Sequence, residues 1–311
     1  MKLKYFISIH PYLKTTNILY IVAFSLYCIG NILDVTVVWA MYKVDYLILG
    51  IIVKAIRYAA YMLFILKVLY DTSTRREYIY MSLFIGVLLL VNFIVGEDRT
   101  FLFYFLIIIA SYNVTSDLII KNYLFVVTPL LIIFVVLSRM NLIVDYIIDK
   151  DTRNRHFLGF SWTTTAPILF LFIVFCYIFI KKGRINIVEF LVISIAHLYF
   201  FKMTNTKLAF AVAMGTILFF WIFKDGRLIG FITTRFKWIL ILIPSIMAIV
   251  SYVGVLKYDP SNPKWIKIDN ILTGRLHLGQ DAIETYGINL FGNRIDWIGY
   301  PIFDKYRVIF L

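Results

Sequence analysis

The sequence predicts an all-α fold: a polytopic bundle of transmembrane helices with about nine spans and an amphipathic tail outside the membrane. Mean hydropathy is +0.85, and 61% of the residues are hydrophobic while only 16% are charged. Both values lie far from those of soluble proteins. Aromatic residues make up 18% of the chain, which suits spans with Tyr and Trp at the two membrane interfaces.

Nine apolar runs approach the roughly 20 residues that a helix needs to cross a hydrocarbon core. Helices are expected because backbone groups cannot stay unpaired in lipid and no barrel-like alternation is present. Ser111, Tyr112 and Asn113 interrupt the fourth run. The predicted spans are 16–33, 45–69, 78–95, 101–119, 123–141, 163–180, 186–201, 207–223 and 238–256.

Lys and Arg residues between the spans predict the orientation of the chain. With a cytoplasmic N-terminus, the inner segments hold thirteen of these cations and the outer loops before residue 257 hold eight. This bias follows the positive-inside rule. Residues 1–256 are therefore predicted to form the transmembrane domain, and residues 257–311 an extracytoplasmic tail. The first span is expected to stay as an anchor, since Asp34-Val35-Thr36 after it is no cleavage site.

The net charge of +13 does not indicate nucleic-acid binding, because the cations punctuate the apolar runs and form no single patch. Cys28 and Cys176 both lie inside predicted spans, so they are interpreted as small core side chains and not as a disulfide. No metal or cofactor site is predicted.

Charged residues inside the second span are expected to face a cavity or to be paired, because charge in lipid is costly. Lys54 and Arg57 are three positions apart and share a helix face. Glu189 is either their counter-ion or a residue near the inner end of its own span. Lys67 is expected to extend to the inner interface. The histidines interpreted as structural are His10 and His197.

The outer loop near residues 142–161 contains a basic and titratable cluster. Arg153, Arg155 and His156 could hold an anionic headgroup, and a histidine with a pKa near 6.5 suits proton transfer. The alternative is a solvated loop whose aspartates and arginines balance each other.

Two further cations stand at predicted helix starts. Lys207 follows the capping residues Thr204-Asn205-Thr206, and a cation there opposes the helix dipole unless an anion is shared. Arg275 lies in the first turn of an amphipathic helix predicted from Thr273 to Gly287, where free N–H groups also favour a phosphate. The alternatives are a lysine extending to the headgroups and an arginine on a wet helix face.

Three segments carry a family resemblance. Residues 272–292, with Thr-Gly-Arg-Leu followed by Tyr-Gly-Ile-Asn-Leu-Phe-Gly, resemble a signature of bacterial Wzy-type polysaccharide repeat-unit polymerases, which belong to the O-antigen polymerase and ligase-like group. Residues 153–160, an arginine followed by Gly-Phe, are similar to a second family segment. Residues 204–207 resemble a third, although the family usually has arginine where this chain has Lys207.

The resemblance implies a metal-independent, GT-C-like glycosyltransferase at the outer face of the bacterial cytoplasmic membrane. It would extend a glycan carried on undecaprenyl diphosphate, and a flippase and a chain-length regulator would be its partners. The diphosphate would contact Arg275 and Arg155, with Arg153 and Lys207 as further cations. The base would be His156 or Asp151.

Two rival functions share these features. A lipid-linked glycan flippase or another transporter would also carry intramembrane cations, but it usually shows internal repeats that this chain lacks. An O-antigen-type ligase would use the same outer-loop arginines. Family members usually continue into further spans, whereas this chain ends at Leu311, as expected for a truncated product of doubtful activity.

Overall fold

The computed structural model describes residues 2–38, 47–71, 86, 100–150, 153–223, 230–231, 234–272 and 274–288. Within those ranges the chain is mostly helical, with ten helices of defined bounds and one small antiparallel sheet. The helices are α1 (Lys2–Asp34), α2 (Leu47–Asp71), α3 (Thr100–Ala110), α4 (Ser116–Arg139), α5 (Thr165–Ile180), α6 (Ile187–Thr204), α7 (Lys207–Ile222), α8 (Lys237–Leu256), α9 (Pro263–Ile271) and α10 (Arg275–Tyr286).

Four of the described helices are long and apolar enough to cross a membrane. They are residues Thr15–Asp34 of α1, and the whole of α4, α6 and α8. The apolar helices α5 and α7 are shorter, with 16 residues each. These helices indicate a helical membrane protein, while nine crossings and their direction stay predictions.

The fourth predicted span differs from the structure, and the third lies almost wholly outside the described residues. Instead of one helix over 101–119, α3 ends at Ala110 and α4 begins at Ser116. The Ser111 hydroxyl donates to the carbonyl of Ile108 at 2.7 Å, and Asn113 adopts a left-handed conformation with φ 62°. Polar residues that tolerate this conformation favour a turn over a continuous helix.

The contacts divide the chain into two compact units. The first includes the described residues of α1, α2 and α4–α7, together with α3 from Phe103 onward. Its largest buried cluster joins side chains of α1, α4, α5 and α6 to Leu158 and Phe160, which lie in the segment between α4 and α5. That segment is therefore anchored in the core of the helices and not loosely attached to their ends.

Two charged residues of α2, Arg57 and Lys67, are paired inside the first unit, whereas Lys54 is exposed and forms no ion pair with any described residue. Arg57 donates to the carboxylate of Asp34 at 2.8 Å, so the counter-ion of this face is Asp34. Of the two alternatives for Glu189, the structure favours a residue near the end of its own helix and not the counter-ion of Arg57, since Glu189 binds Lys181 at 2.5 Å and Tyr177 at 2.8 Å. Glu189 also completes a capping box at the start of α6, where a carboxylate stabilises the free N–H groups.

The sequence predicted that Lys67 extends to the inner membrane interface, but the structure buries it. Its side chain is only 1% exposed, and its ammonium group contacts the carboxylate of Asp71 and the carbonyl of Tyr112. A buried charge needs such partners, because leaving it unpaired is costly. Lys67 thus links the end of α2 to the turn between α3 and α4.

The second unit contains α8, α9 and α10. The amphipathic helix predicted from Thr273 to Gly287 corresponds to α10, and α9 is a separate helix before it. Gly274 at the start of α10 is left-handed, with φ 80°. Gly287 ends α10 as predicted. Thr273, the predicted N-cap, lies outside the described residues. Cys28 and Cys176, both in the first unit, are free thiols.

Candidate functional site

The loop near residues 142–161 contains a β-hairpin, which the sequence did not predict. Strand β1 (Ile147–Lys150) pairs antiparallel with β2 (Arg153–His156), with Ile147 opposite His156. The β-branched pair Ile147-Ile148, followed by polar residues, is a composition that favours such a ribbon. Asp151, one of the two predicted base residues, lies outside the described residues.

Asp145 organises the base of the hairpin. Its Oδ1 atom accepts the backbone N–H groups of Phe157 at 3.1 Å and of Leu158 at 2.8 Å. Its Oδ2 atom lies 2.7 Å from Nδ1 of His156 and 3.7 Å from a guanidinium nitrogen of Arg139. One carboxylate thereby fixes the end of β2, the following turn and the orientation of the imidazole.

The contact with Asp145 defines which nitrogen of His156 can act chemically. A carboxylate beside Nδ1 favours the tautomer that carries its proton there, and this leaves the lone pair on Nε2. Within the part of the chain that the structure describes, Nε2 has no hydrogen-bond partner. The side chain is 22% exposed, so a substrate hydroxyl could reach it.

Gly159 and Phe160 attach the segment after the hairpin to the end of α1. Gly159 has φ 82°, and its carbonyl accepts the N–H of Val37 at 3.0 Å. Phe160 is buried and its backbone bridges Thr36, while the N–H of Ser161 donates to the carbonyl of Val35 at 2.8 Å. The Gly-Phe pair of the family resemblance therefore has a structural role in this fold.

Arg155 connects the hairpin to the end of α6. Its Nε atom donates to the carbonyl of Thr204 at 2.9 Å. The hydroxyl of Thr204 donates to the carbonyl of Phe200 at 2.8 Å and lies 2.9 Å from the hydroxyl of Thr206. Asn205 is left-handed, with φ 50°, and turns the chain from α6 into α7. Two segments that the resemblance singled out are therefore in direct contact.

Lys207 is the first residue of α7, three positions after the carbonyl that Arg155 binds. The side chain of Thr206 does not cap this helix, and no acidic residue lies in its first turn. Lys207 is exposed and forms no ion pair with any residue that the structure describes. The start of α7 thus combines a cation, free backbone N–H groups and a positive helix end, which together favour an anion.

Arg275 is the first residue of α10, as the sequence predicts, and its side chain is exposed. The neighbouring N–H of Leu276 is already bound by the buried carboxylate of Asp269, at 2.8 Å. A carboxylate therefore occupies part of the helix N-terminus where a phosphate was expected. Any phosphate contact at this end of α10 depends mainly on the guanidinium group itself.

The structure brings some of the predicted site residues together. Arg155 and His156 are consecutive in β2, so they point to opposite faces of the ribbon, one toward Thr204 and one toward Asp145. Arg153 lies in β2, but its side chain is outside the described residues. Arg275 belongs to the second unit.

Sequence reasoning missed Asp145 because it treated the loop as unstructured. The available signal was the spacing of Asp145 and His156 around the Ile147-Ile148 pair, which places both at the open end of a short hairpin. Burial also raises the pKa of the neighbouring Tyr146, whose ring packs edge-on against Phe157 at 5.8 Å. Among the described residues, no three His, Cys, Asp or Glu side chains form a metal-binding group.

Comparisons with protein-family models, with curated proteins and with solved structures find no match to this chain.

Proposed function

We propose that this chain is a membrane-embedded glycosyltransferase that polymerises oligosaccharide repeat units carried on undecaprenyl diphosphate. Its site would lie at the outer face of a bacterial cytoplasmic membrane, with about nine spans and a cytoplasmic N-terminus. The observation that carries the proposal is the 2.9 Å bond from Arg155 to the carbonyl of Thr204. This bond joins a cationic hairpin to the uncapped, Lys207-bearing start of α7.

The proposed reaction moves a growing glycan from its lipid diphosphate to an incoming repeat unit. The hydroxyl oxygen of the acceptor sugar bonds to the anomeric carbon of the donor, and the bond from that carbon to the diphosphate oxygen breaks. The hydroxyl proton passes to a base, and undecaprenyl diphosphate leaves with the bonding electrons. The developing negative charge is on the diphosphate, so fixed cations there lower the barrier.

Arg155 and Lys207 are assigned to the diphosphate. An arginine fork matches phosphate oxygens, and a bond to a carbonyl holds the Arg155 side chain in position before the substrate arrives. The first turn of α7 adds backbone N–H donors. Arg153 and Arg275 are further cations of the proposal, the former in the same strand as Arg155.

His156 is assigned as the base, with Asp145 as its positioning residue. The carboxylate holds Nδ1 and stabilises the imidazolium that forms when Nε2 takes the proton. Because His156 and Arg155 lie on opposite faces of the ribbon, the bond between the acceptor hydroxyl and the anomeric carbon would have to form at an edge or end of the ribbon that both side chains reach. Asp151, the other base candidate, directly follows β1 in the sequence.

The test is chain lengthening by purified protein supplied with lipid-diphosphate repeat units in detergent. We expect products longer than one repeat from the native chain, and a loss on the order of 10²-fold in rate for Arg155→Ala. The matched control is Arg184→Ala, which removes an exposed arginine after α5. Transfer to an unrelated glycolipid would favour the ligase, and vesicle translocation without lengthening would favour the transporter. Either result would overturn the proposal.

The role of Asp145 has a readout that does not need activity. The Nε2 atom of His156 should react with diethylpyrocarbonate, and Asp145→Asn should change the rate of this modification at His156, as followed by mass spectrometry. The same variant should reduce lengthening by on the order of 10²-fold. A changed modification rate with unchanged lengthening would remove His156 as the base while leaving the cation site in place.

A further inference from the structure

The helix α9 presents an apolar face that remains largely exposed. Ile268, Ile271 and Leu272 are 44%, 74% and 42% exposed. Their spacing of three and four positions places them on one side of the helix. Lys264 and Lys267 lie one turn earlier on the same side and are both exposed. We refer to these five residues as the α9 face.

The side of α9 that carries Trp265 and Asp269 is fixed against its neighbours, so the direction of the α9 face is determined. Trp265 packs edge-on against Tyr258, with ring centroids 6.4 Å apart. Asp269 is buried and accepts the N–H of Leu276 in α10 at 2.8 Å. Rotation of α9 about its axis would break both contacts.

Contacts with α8 determine the depth at which α9 and α10 lie. A Cβ atom on Gly279 of α10 would be 2.8 Å from Val255, and one on Gly254 would be 3.5 Å from Leu276. Both contacts involve the last turn of α8, which ends at Leu256. Since α8 is long and apolar enough to cross a membrane, a crossing by α8 would place α9 and α10 at the level of the membrane boundary.

We propose that the α9 face docks on the surface of the lipid bilayer and recognises anionic headgroups. Ile268, Ile271 and Leu272 would enter the boundary between headgroups and acyl chains, and the two lysines would contact lipid phosphates. An apolar stripe combined with lysines is the pattern of helices that lie in a membrane interface. Lysines near an anionic membrane surface add electrostatic attraction.

Exposed apolar side chains on the neighbouring helix α8 favour lipid over a protein partner. The side chains of α8 that precede this region, including Ile246, Ile249 and Val250, are also exposed and apolar. Within the described residues, neither Lys264 nor Lys267 forms an ion pair with an acidic side chain. Two unpaired cations beside exposed apolar groups complement a layer of lipid phosphates above hydrocarbon.

The experiment measures depth with spin labels on the full chain in lipid nanodiscs. Cys28→Ala and Cys176→Ala remove the native thiols, and Ile271→Cys carries the label on the α9 face. Asp281→Cys is the matched control, because this exposed residue lies on the side of α10 away from α8. Oxygen concentrates in the bilayer, so frequent collisions of a label with oxygen show that the label lies in lipid. A water-soluble nickel chelate stays outside the bilayer, so collisions with the chelate show that the label lies in water.

We expect the label at 271 to collide several-fold more with oxygen than with the chelate, and the label at 281 to show the reverse. Chelate collisions at 271 that are as frequent as those at 281 would place the α9 face in water and overturn the proposal. Protection from both reagents would indicate a protein partner or a second copy of the chain, and would overturn it as well.

Headgroup recognition is tested by lipid composition. Nanodiscs of phosphatidylcholine with phosphatidylglycerol should reduce chelate access at 271 relative to phosphatidylcholine alone. The combined variant Lys264→Gln and Lys267→Gln should lose this response. The same depth in both lipids before the lysines are changed would overturn recognition of anionic headgroups. The readout needs no substrate, so it is independent of the proposed enzymatic function.

Discussion

The hairpin and the tail both present cations, but they hold them in different ways. The Nε atom of Arg155 in the hairpin donates to the carbonyl of Thr204 in α6 at 2.9 Å. Arg275 of the tail is exposed at the start of α10, and a carboxylate already binds the next backbone N–H group. The same residue type therefore occurs once in a positioned state and once as a solvent-facing side chain.

The anchoring of the two regions explains this difference. The segment that includes the hairpin is attached to α1 through Gly159 and Val37, and to α6 through Arg155 and Thr204. The described part of the tail is anchored on α8, through the contacts of Leu276 and Gly279. Several independent attachments fix a side chain more firmly than contacts with one helix do.

Positioning matters because ordering a long side chain costs free energy when a ligand binds. An immobilised side chain of this kind costs about 0.5–1.5 kcal/mol. Folding already orders the Arg155 side chain in part, so less free energy is lost there when the ligand binds. The Arg275 side chain would be ordered only on binding. The comparison predicts that Arg155 contributes more to diphosphate affinity than Arg275, although the family resemblance gives weight to both.

The largest expected effect comes from replacing each arginine with lysine, which keeps the charge but removes the planar fork. Arg155→Lys should weaken the binding of undecaprenyl diphosphate by about tenfold or more, because a charge-assisted hydrogen bond is worth roughly 1.5–3 kcal/mol. Arg275→Lys should change it by less than about threefold. Calorimetric titration of the lipid into detergent-solubilised protein measures both. Equal losses, or a larger loss at Arg275, would contradict the comparison.

A second effect concerns the folding of the hairpin segment. Gly159 has φ 82°, and a Cβ atom there would lie 2.7 Å from Ile143 and 2.9 Å from the carbonyl oxygen of Phe134. Gly159→Ala should therefore lower the free energy of unfolding by about 1–3 kcal/mol. The control is Gly215→Ala, since a Cβ atom on Gly215 meets nothing within 4 Å.

Thermal unfolding in detergent, followed by circular dichroism, compares the two glycine variants. Gly215→Ala should leave the midpoint unchanged or raise it, because alanine is favoured over glycine inside a helix by up to about 1 kcal/mol. An unchanged midpoint for Gly159→Ala would show that the segment after the hairpin adjusts without cost, and would weaken the case for a rigid Arg155.

The helices of the first unit were largely predictable from apolar runs. The spans predicted at 186–201 and 207–223 correspond to α6 (Ile187–Thr204) and α7 (Lys207–Ile222). The reason is local: polar residues such as Asn186 and Thr206 stand at the boundaries, and a membrane requires a minimum apolar length between them. The same logic predicted the bounds of α8 to within one residue.

The attachment of the hairpin segment to α1 and α6 could not be derived in the same way, because it depends on pairs distant in sequence. The Ser161 to Val35 contact joins residues 126 positions apart, and Arg155 to Thr204 joins residues 49 apart. Apolar periodicity carries no information about such pairs. The break after Ala110 was visible as Ser111-Tyr112-Asn113, but hydropathy alone extended the helix through it.

The smallest expected effect tests how the tail is held. Asp269→Ala removes the carboxylate that binds Leu276 N–H, and a lost helix cap costs about 1 kcal/mol. Amide exchange in α10 should then become roughly fivefold faster, since 1.4 kcal/mol corresponds to a factor of ten. Asp281→Ala, an exposed aspartate of the same helix, should change exchange much less. If both variants exchange like the native chain, the contacts of Leu276 and Gly279 with α8 are sufficient to hold α10. The tail would then be as firmly fixed as the hairpin, and the contrast between Arg155 and Arg275 would have to rest on side-chain contacts alone.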